Sequence, residues 1–427
     1  MKTRTILAGG IGLLLTLTFF LSRPTAAPAA QREGCVFKTV FGEEPLDTSL
    51  RYAPSDKVLS SVQEGLSWLR EAQQPDGGWG AGSHGRQDIR DPHAVPSDPA
   101  TTAMVAMAIL RAGTRPDSGP LAAELNQATE FLLKAVENTP ADGANITTLT
   151  GTQIQVKLGA NIDLALTAQY LSNLLTYLKP DSREHRRTMA ALNKCVGSLQ
   201  SKQLANGSFQ GAGWAGVLQS AFANNALESA RSKGAEVDKE VLERSREYQK
   251  GNFDADSKTA SVIDGAGIVL YSVSGSARAT AVEAREVVEV MEKAKDDGVL
   301  APEEEVSVEN LTKAGLDDDQ ALKAIAAYEV YQSSKIVAQQ DEVVRGFGNN
   351  GGEEFLSFLQ TGESMIINRD EVWKGWFDNV SGQLLSIQNP DGSWNGHHCI
   401  TSPVFCTATC VLILTVNNDI EELAAVE

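Results

Sequence analysis

One short turn occurs twice in the chain, near its two ends, and it constrains the fold more than any other feature. Gln73-Gln74-Pro75-Asp76-Gly77-Gly78-Trp79 returns as Gln388-Asn389-Pro390-Asp391-Gly392-Ser393-Trp394. Each copy follows a segment with amphipathic helical spacing and precedes a more apolar one. Proline disfavours the helical conformation in the residue before it, and glycine accepts positive φ, so the turn ends a helix. The repetition predicts an architecture of stacked helix pairs.

Helical periodicity dominates the rest of the chain, and strand signals are few. Residues 55–74 have apolar positions on one face, whereas 99–112 is apolar on nearly every side and should be buried. The same alternation predicts five further pairs: 120–138 with 162–178, 184–201 with 216–233, 238–250 with 262–274, 279–295 with 316–337, and 370–388 with 403–416. The chain is therefore predicted to be all-α, with about six helix pairs.

The pairs can be arranged as a linear solenoid or as two concentric rings. A solenoid expects polar capping repeats at its ends. Here the first and last repeats are the strongest, as if they met one another, and this favours a ring. We expect the apolar helices to form the inner ring and the amphipathic helices the outer one.

The N-terminal residues have the pattern of a targeting segment. Lys2 and Arg4 precede an apolar run from Ile6 to Leu21, and Ala27-Pro28-Ala29 offers a cleavage site. An uncleaved membrane anchor is the alternative, because the run approaches the length that spans a bilayer. We predict a signal peptide at 1–30, an extension at 31–54, a toroid at 55–417 and a solvated acidic tail at 418–427. The protein is thus expected to be exported to the periplasm, the cell surface or the medium.

Charge and cysteine content limit the partners. The formal net charge is −18, which disfavours nucleic acid and anionic membrane surfaces, so membrane contact is expected only through an uncleaved N-terminal segment. The five cysteines are an odd number, so at least one is unpaired or intermolecular. Cys399 and Cys406 flank a loop and are candidates for a disulfide, although a core thiol is the simpler interpretation of each.

The two turns resemble the Gln-Trp repeats of squalene and oxidosqualene cyclases and the related repeats of protein prenyltransferase β subunits. A third, weaker copy of the repeat resembles them at Gln200 and Gly207-Ser208-Phe209. The resemblance implies an α/α toroid of six helix pairs. It also implies a structural role for the turn, whose residues here are Gln73, Asp76, Gly78, Trp79, Gln388, Asp391, Gly392 and Trp394. The glutamine is expected to bond backbone groups at a helix end, and the indole to pack on the next turn.

The resemblance also indicates which acids to inspect. Squalene-hopene-type cyclases protonate an alkene with an Asp-x-Asp-Asp motif, and this chain has only partial counterparts in Asp254, Asp256 and Asp98. Acids at helix starts are more often caps than catalysts. The predicted inner helices also carry few aromatic residues to stabilise a carbocation. The zinc context of prenyltransferases and the Gly-Cys-Gly-Glu-Gln motif of complement-type thioester domains are both missing from the sequence.

One histidine constellation remains. If the ring closes, the loops of the first and last pairs are neighbours, and His84, His93, His397, His398 and Cys399 lie at one mouth of the barrel. Such side chains can hold zinc. A divalent ion between the two turns is therefore a hypothesis, set against solvated loop histidines.

Two functions stay open at this stage. The first is a binding or scaffold module without the known family chemistry, which takes an apolar ligand or a protein partner at the barrel mouth. The second is an enzyme that acts on an isoprenoid-like lipid in the central cavity. A wide, dry cavity would favour the enzyme, and a filled or polar barrel the binding module.

Overall fold

A computed structural model of the protein describes residues 52–140, 145–346, 351–420 and 423. The predicted signal peptide at 1–30 and most of the extension at 31–54 lie outside these residues. Among the residues described, no helix is both long enough and apolar enough to cross a membrane.

Helices form almost all of the regular structure. In chain order they are α1 Asp56–Glu71, α2 Pro99–Arg111, α3 Ala122–Asn138, α4 Gln153–Leu158, α5 Ile162–Leu175, α6 Arg183–Ser201, α7 Gly216–Ser232, α8 Lys239–Lys250, α9 Val269–Asp296, α10 Val308–Lys313, α11 Asp318–Val337, α12 Asp341–Val344, α13 Gly352–Ile367, α14 Trp373–Ser386 and α15 Pro403–Leu414. Short 3₁₀ helices lie at His84–Arg86, Pro92–Ala94 and Val416–Asp419, and a two-stranded antiparallel hairpin pairs β1 Phe253–Asp254 with β2 Thr259–Ala260.

Six helices form a closed inner ring. Helices α2, α5, α7, α9, α13 and α15 pack each on the next, and α15 packs back on α2. Helices α1, α3, α6, α8, α11 and α14 lie outside them, one before each inner helix along the chain. The prediction of an all-α toroid with six helix pairs is therefore confirmed.

Burial follows the sequence pattern that distinguishes the two rings. Every residue of α2 is buried, because outer helices cover one side of it and the barrel interior the other. In α1 only a stripe that includes Val58, Val62 and Leu69 is buried, while the opposite face is exposed. Apolar composition on all sides thus marks an inner helix, and an amphipathic stripe marks an outer one.

Pairs four and five differ from the prediction. The predicted helix 279–295 and residues 269–274 of the predicted helix 262–274 belong to one inner helix, α9, whereas 262–268 is not helical. Helix α9 continues through Gly275 because the small residue lets α8 and α7 approach closely. A Cβ on Gly275 would lie 2.6 Å from Oε1 of Gln249. The predicted inner helix 316–337 is instead the outer helix α11. Its inner partner α13 was not predicted, because it follows a glycine-rich stretch and carries several acids.

The prediction for the start of the acidic tail is also corrected. It was predicted to be solvated from residue 418, but Asp419 ends a 3₁₀ helix and bonds Arg111 at the C-terminal end of α2. The side chain of Asn418 donates to the carbonyl of Arg111. The described start of this tail is therefore part of the toroid.

Candidate functional site

The two tryptophan turns have the same internal geometry. The amide of Gln73 donates to the carbonyls of Gly77, at 2.9 Å, and Glu124, at 3.0 Å. The indole of Trp79 is fully buried and donates to the Leu69 carbonyl at the end of α1. The glutamine therefore ties its own turn to the next outer helix, while the indole ties it back to the preceding one.

The second copy repeats these bonds with different residues. Gln388 donates to the carbonyls of Gly392 and Ser61, and Trp394 donates to that of Leu384. Because Ser61 belongs to α1, this turn joins the last pair to the first. The turn residues act in the structure as the sequence suggested, as links between helices.

A third copy is present, but its glutamine is not the predicted Gln200. Gln203 donates to the carbonyls of Gly207 and Val241, which are the counterparts of the acceptors in the other two turns. The prediction of Gln200 was wrong because the spacing to the glycine was read as seven residues rather than four. The Gln-to-Gly interval in the two complete copies was the available signal.

The barrel mouth is the end of the toroid at which the six inner helices begin. There the loops of the first and last pairs meet, as ring closure required. Gln87 donates to the Cys399 carbonyl at 2.8 Å, and Arg90 donates to the Thr401 carbonyl. The buried amide of Gln153 accepts from the Thr401 and Ser402 N–H groups with its oxygen and donates to the Ala81 carbonyl with its nitrogen.

The predicted histidine constellation is only partly brought together. Nδ1 of His84 lies 2.7 Å from the Gln87 amide, and its ring meets Trp214 edge to face. Burial lowers the pKa of His84, and the positive charge of Lys157 lowers it further. His398 lies by Glu354 instead, with 4.0 Å between Nε2 and Oε1.

The remaining histidines do not complete a metal site. His93 and His397 are exposed on the surface. Over the described residues, no group of three or more His, Cys, Asp or Glu side chains is arranged to hold a metal ion. The donor set present therefore does not fit the hypothesis of a divalent ion between the two turns.

A buried polar cluster at the mouth was missed by the sequence analysis. The thiol of Cys399 interacts with both Lys157 and Glu353, and the Lys157 ammonium lies 3.6 Å from the ring centroid of Trp214. Burial and the neighbouring Glu354 raise the pKa of Glu353 to about 8, so its carboxyl is largely protonated at neutral pH. Neither Lys157 nor Glu353 belongs to a motif, and ring closure alone brings them together.

The same surroundings make Cys399 a poor nucleophile. Burial and the Glu353 carboxyl raise the pKa of the thiol to about 11, although Lys157 opposes the shift. Cys399 has a φ of 59°, a left-handed conformation that is energetically unfavourable for residues other than glycine. All four cysteines in the described part of the chain are free thiols, including Cys406.

The two mouth glutamates have structural partners. Glu353 accepts from the Ile400 N–H at 3.2 Å. Glu354 accepts from the Gly351 N–H and from the hydroxyl of Tyr271, each at 2.9 Å. These bonds satisfy helix-start and loop groups, and they fix the last inner helices at the mouth.

The three predicted acid candidates are caps and turn residues. Asp98 is fully buried and accepts from the N–H groups of Thr101 and Ala81, so it caps α2. Burial and nearby Asp163 raise the pKa of Asp98 to about 7. Asp254 accepts from the Ser257 N–H in an exposed hairpin, and Asp256 is exposed in the same turn.

The lumen is the space enclosed by the six inner helices. A cavity in the lumen, bordered by described residues, has a volume of about 30 Å³, enough for water but too small for a lipid chain. It is lined by residues from five of the inner helices, namely Met104, Met107, Arg111, Gln169, Asn173, Phe222, Asn225, Leu359, Glu363 and Leu412.

Buried ion pairs join inner helices near the end of the toroid opposite the mouth. Arg111 contacts Glu363 at 2.7 Å and Asp419 at 2.6 Å. Arg278 contacts Glu228 at 2.8 Å and approaches Glu363 at 3.8 Å. The described part of the interior is thus charged as well as apolar.

Comparison with known proteins gives structural neighbours only. No family model and no curated protein sequence matches the chain. Among solved structures, the chain is similar to the type II terpene cyclase MstE from Scytonema in its apo form, with a TM-score of 0.45 and 14% identity over 86% of this chain and 100% of that one. A variant of the same cyclase bound to the product merosterolic acid A gives a TM-score of 0.44 at 14% identity, over 88% and 100%. The neighbours have a terpenoid cyclase-like fold, and the assignment of this chain to the all-α toroids rests on its own closed helical ring.

Proposed function

We propose that this protein is an exported binding module in which the toroid serves as a solid scaffold. The observation that carries the proposal is the cavity in the lumen, which among the described residues has a volume of about 30 Å³ and is lined by the paired charges of Arg111 and Glu363. An enzyme acting on an isoprenoid-like lipid needs a far larger apolar chamber, since small-molecule sites typically enclose about 300–1,000 Å³. The predicted acids also support the binding function, because they cap helices or lie in an exposed turn.

The barrel mouth carries the features of a contact surface. Trp214 is 63% exposed and Ile263 is 88% exposed. The Val217 N–H donates to the Asp264 carbonyl, which holds the loop that carries Ile263 against the first turn of α7. Exposed apolar side chains held on a rigid frame are typical of sites that meet another molecule. We therefore take the partner to be a protein or an apolar ligand at the mouth.

Export is part of the same proposal and is supported by the basic start, the apolar run and the Ala27-Pro28-Ala29 site. The periplasm, the cell surface and the medium are all consistent with it. The proposal includes neither nucleic acid nor a resident metal ion.

One experiment tests both parts. The full chain is produced in a secreting host, and the protein recovered outside the cytoplasm is measured by native mass spectrometry before and after organic extraction. We expect a mass that lacks the first 27–30 residues and no co-purifying lipid. A stoichiometric isoprenoid, or turnover of added squalene or geranylgeranyl diphosphate, would overturn the binding function, and a cytoplasmic chain with its N-terminus intact would overturn export.

A further inference from the structure

A second recess lies on the outside of the toroid, where the last pair meets the first. This seam cleft has a volume of about 360 Å³ and is lined by Trp68, Arg90, Asn389, Asp391, Ser393, Asn395 and Pro403. It is therefore made of the last tryptophan turn, a tryptophan of α1 and residues of the adjoining loops.

The first pair has the same cleft, but there the chain itself fills it. Gly77 packs on Gln127 of α3 as Gly392 packs on Glu64 of α1, so the two turns sit on their neighbours in the same way. One helical turn further along, Phe131 of α3 takes the position of Trp68 of α1.

The occupant of the first cleft is the segment 92–97. The amide of Gln74, the counterpart of Asn389, donates to the carbonyls of Pro92 and Val95. The hydroxyl of Ser97 donates to Asp76, the counterpart of Asp391, at 2.8 Å. Pro92–Ala94 form a short 3₁₀ helix, and the chain becomes extended at Val95, where φ is −127° and ψ is 145°.

Glycines in the first turn make room for this segment. A Cβ on Gly80 would lie 1.9 Å from the Pro96 carbonyl oxygen, and one on Gly78 would lie 2.7 Å from the Cβ of Ser97. The last turn has Asn395 and Ser393 at these two positions. The connection that follows it is shorter and leads to Pro403 without covering the cleft.

We propose that the seam cleft binds a short, proline-containing segment of a partner polypeptide, in the place that 92–97 occupies in the first pair. The inference rests on the proposed binding function and names one partner class and one site for it. Asn389 takes the role of Gln74 and donates to main-chain carbonyls of the partner.

The side chains that line the cleft are suited to bind such a segment. The amide of Asn389 donates to Ser393 and Asn395 in the free protein, and it is released to a partner by a change of side-chain rotamer. Trp68 is half-buried and forms one wall, and aromatic walls are the usual surfaces for proline-containing extended chains. Arg90 is held by the carbonyls of Gly396 and Thr401 and closes the floor.

The test uses the chain's own occupant as the probe. A capped peptide with the sequence of residues 91–99 is titrated into the full mature protein by calorimetry, beside a peptide of the same composition in scrambled order. We expect the native-order peptide to bind at millimolar or better concentration and the scrambled one at least about tenfold more weakly. Trp68→Leu and Asn389→Ala are each expected to weaken binding about tenfold.

A matched control separates the cleft from general damage. Phe131→Leu makes the same kind of change under the covered cleft of the first pair, and we expect it to leave peptide binding unchanged. Circular dichroism and thermal unfolding identify any variant that fails to fold, and Asn395→Trp then serves as a second test because it fills the cleft from the surface.

The contrary outcomes are distinct. Failure of the native-order peptide to bind, or equal binding to the Trp68 and Asn389 variants, overturns the seam cleft as a peptide site. Binding of chitotriose that is lost in the same variants replaces the peptide with a glycan. Because none of these results depends on lipid in the lumen, the proposed scaffold function stands or falls separately by mass spectrometry.

Discussion

At the scale of single residues, the mouth glutamates show how ring closure changes the chemistry of ordinary side chains. Glu353 is almost fully buried, adjoins a second carboxyl and receives one backbone N–H. Burial favours its neutral form, and the charge of Lys157 only partly opposes this. The folded state therefore holds a proton at Glu353 that the unfolded state releases at a lower pH.

This linkage predicts a pH-dependent difference between the wild type and Glu353→Gln. The pKa of Glu353 is raised from 4.5 to about 8, so its protonation contributes stability that is complete below 4.5 and is lost as pH rises through 8. Relative to the variant, we expect the wild type to lose about 2–4 kcal/mol of unfolding free energy between pH 4.5 and 8. Urea unfolding at three pH values measures this.

The control for this prediction is Glu329→Gln on the exposed face of α11, which should follow the wild type at every pH. A constant difference between the wild type and Glu353→Gln across the range would contradict the raised pKa.

At the scale of elements, α9 shows tertiary contacts overriding a local breaking signal. The sequence predicted one helix that ends at residue 274 and another that begins at 279, but α9 continues through Ser274-Gly275-Ser276. Ser276 donates to the carbonyl of Gln249 at 2.7 Å, and Gly275 lies against the side chain of the same residue. Glycine in a helix costs about 1 kcal/mol relative to alanine, and here the close packing offsets that cost.

Two glycine-to-alanine changes should therefore have opposite signs. Gly275→Ala places a methyl group 2.6 Å from Oε1 of Gln249, and we expect a loss of about 1–3 kcal/mol of unfolding free energy. Gly197→Ala, on the exposed face of α6, meets nothing within 4 Å and should stabilise by about 0.5–1 kcal/mol. Denaturant unfolding of both variants measures the difference, and equal effects would show that α9 does not need a glycine.

At the scale of the whole molecule, the toroid is closed at both ends by side chains distant in sequence. Gln153 joins the first and last pairs at the mouth. Arg111 joins α2 to α13 and to the C-terminal 3₁₀ helix at the other end. Buried charges of this kind are costly when a partner is removed, so they hold the ring in one arrangement.

Removal of Arg111 tests that arrangement. Arg111→Met leaves Glu363 and Asp419 without this partner, and we expect a loss of about 3–5 kcal/mol of unfolding free energy. The triple variant Arg111→Met, Glu363→Gln, Asp419→Asn removes the charges together and should recover most of that loss. Urea unfolding compares the two, and a single variant as stable as the wild type would show that the ion pairs are not needed for closure.

The sequence by itself determined what depends on short-range chemistry. The Pro-Asp-Gly turns end their helices through the conformational limits of proline and glycine, and the apolar or amphipathic pattern indicates the ring of most helices, α11 and α13 being the exceptions. The all-α class and the number of pairs follow from these local rules, and the resemblance added the structural role of Trp79 and Trp394.

Only the tertiary structure decided what depends on residues far apart. Lys157, Glu353 and Cys399 meet because the ring closes, and the cavity in the lumen is charged because Arg111 and Glu363 pair beside it. Helix α13 became an inner helix because its acids find partners at the two ends of the barrel, which no periodicity could indicate. The seam cleft is open because segment 92–97 covers the first tryptophan turn and no equivalent segment follows the last one. The repeat in the sequence does not show which of the two turns is covered.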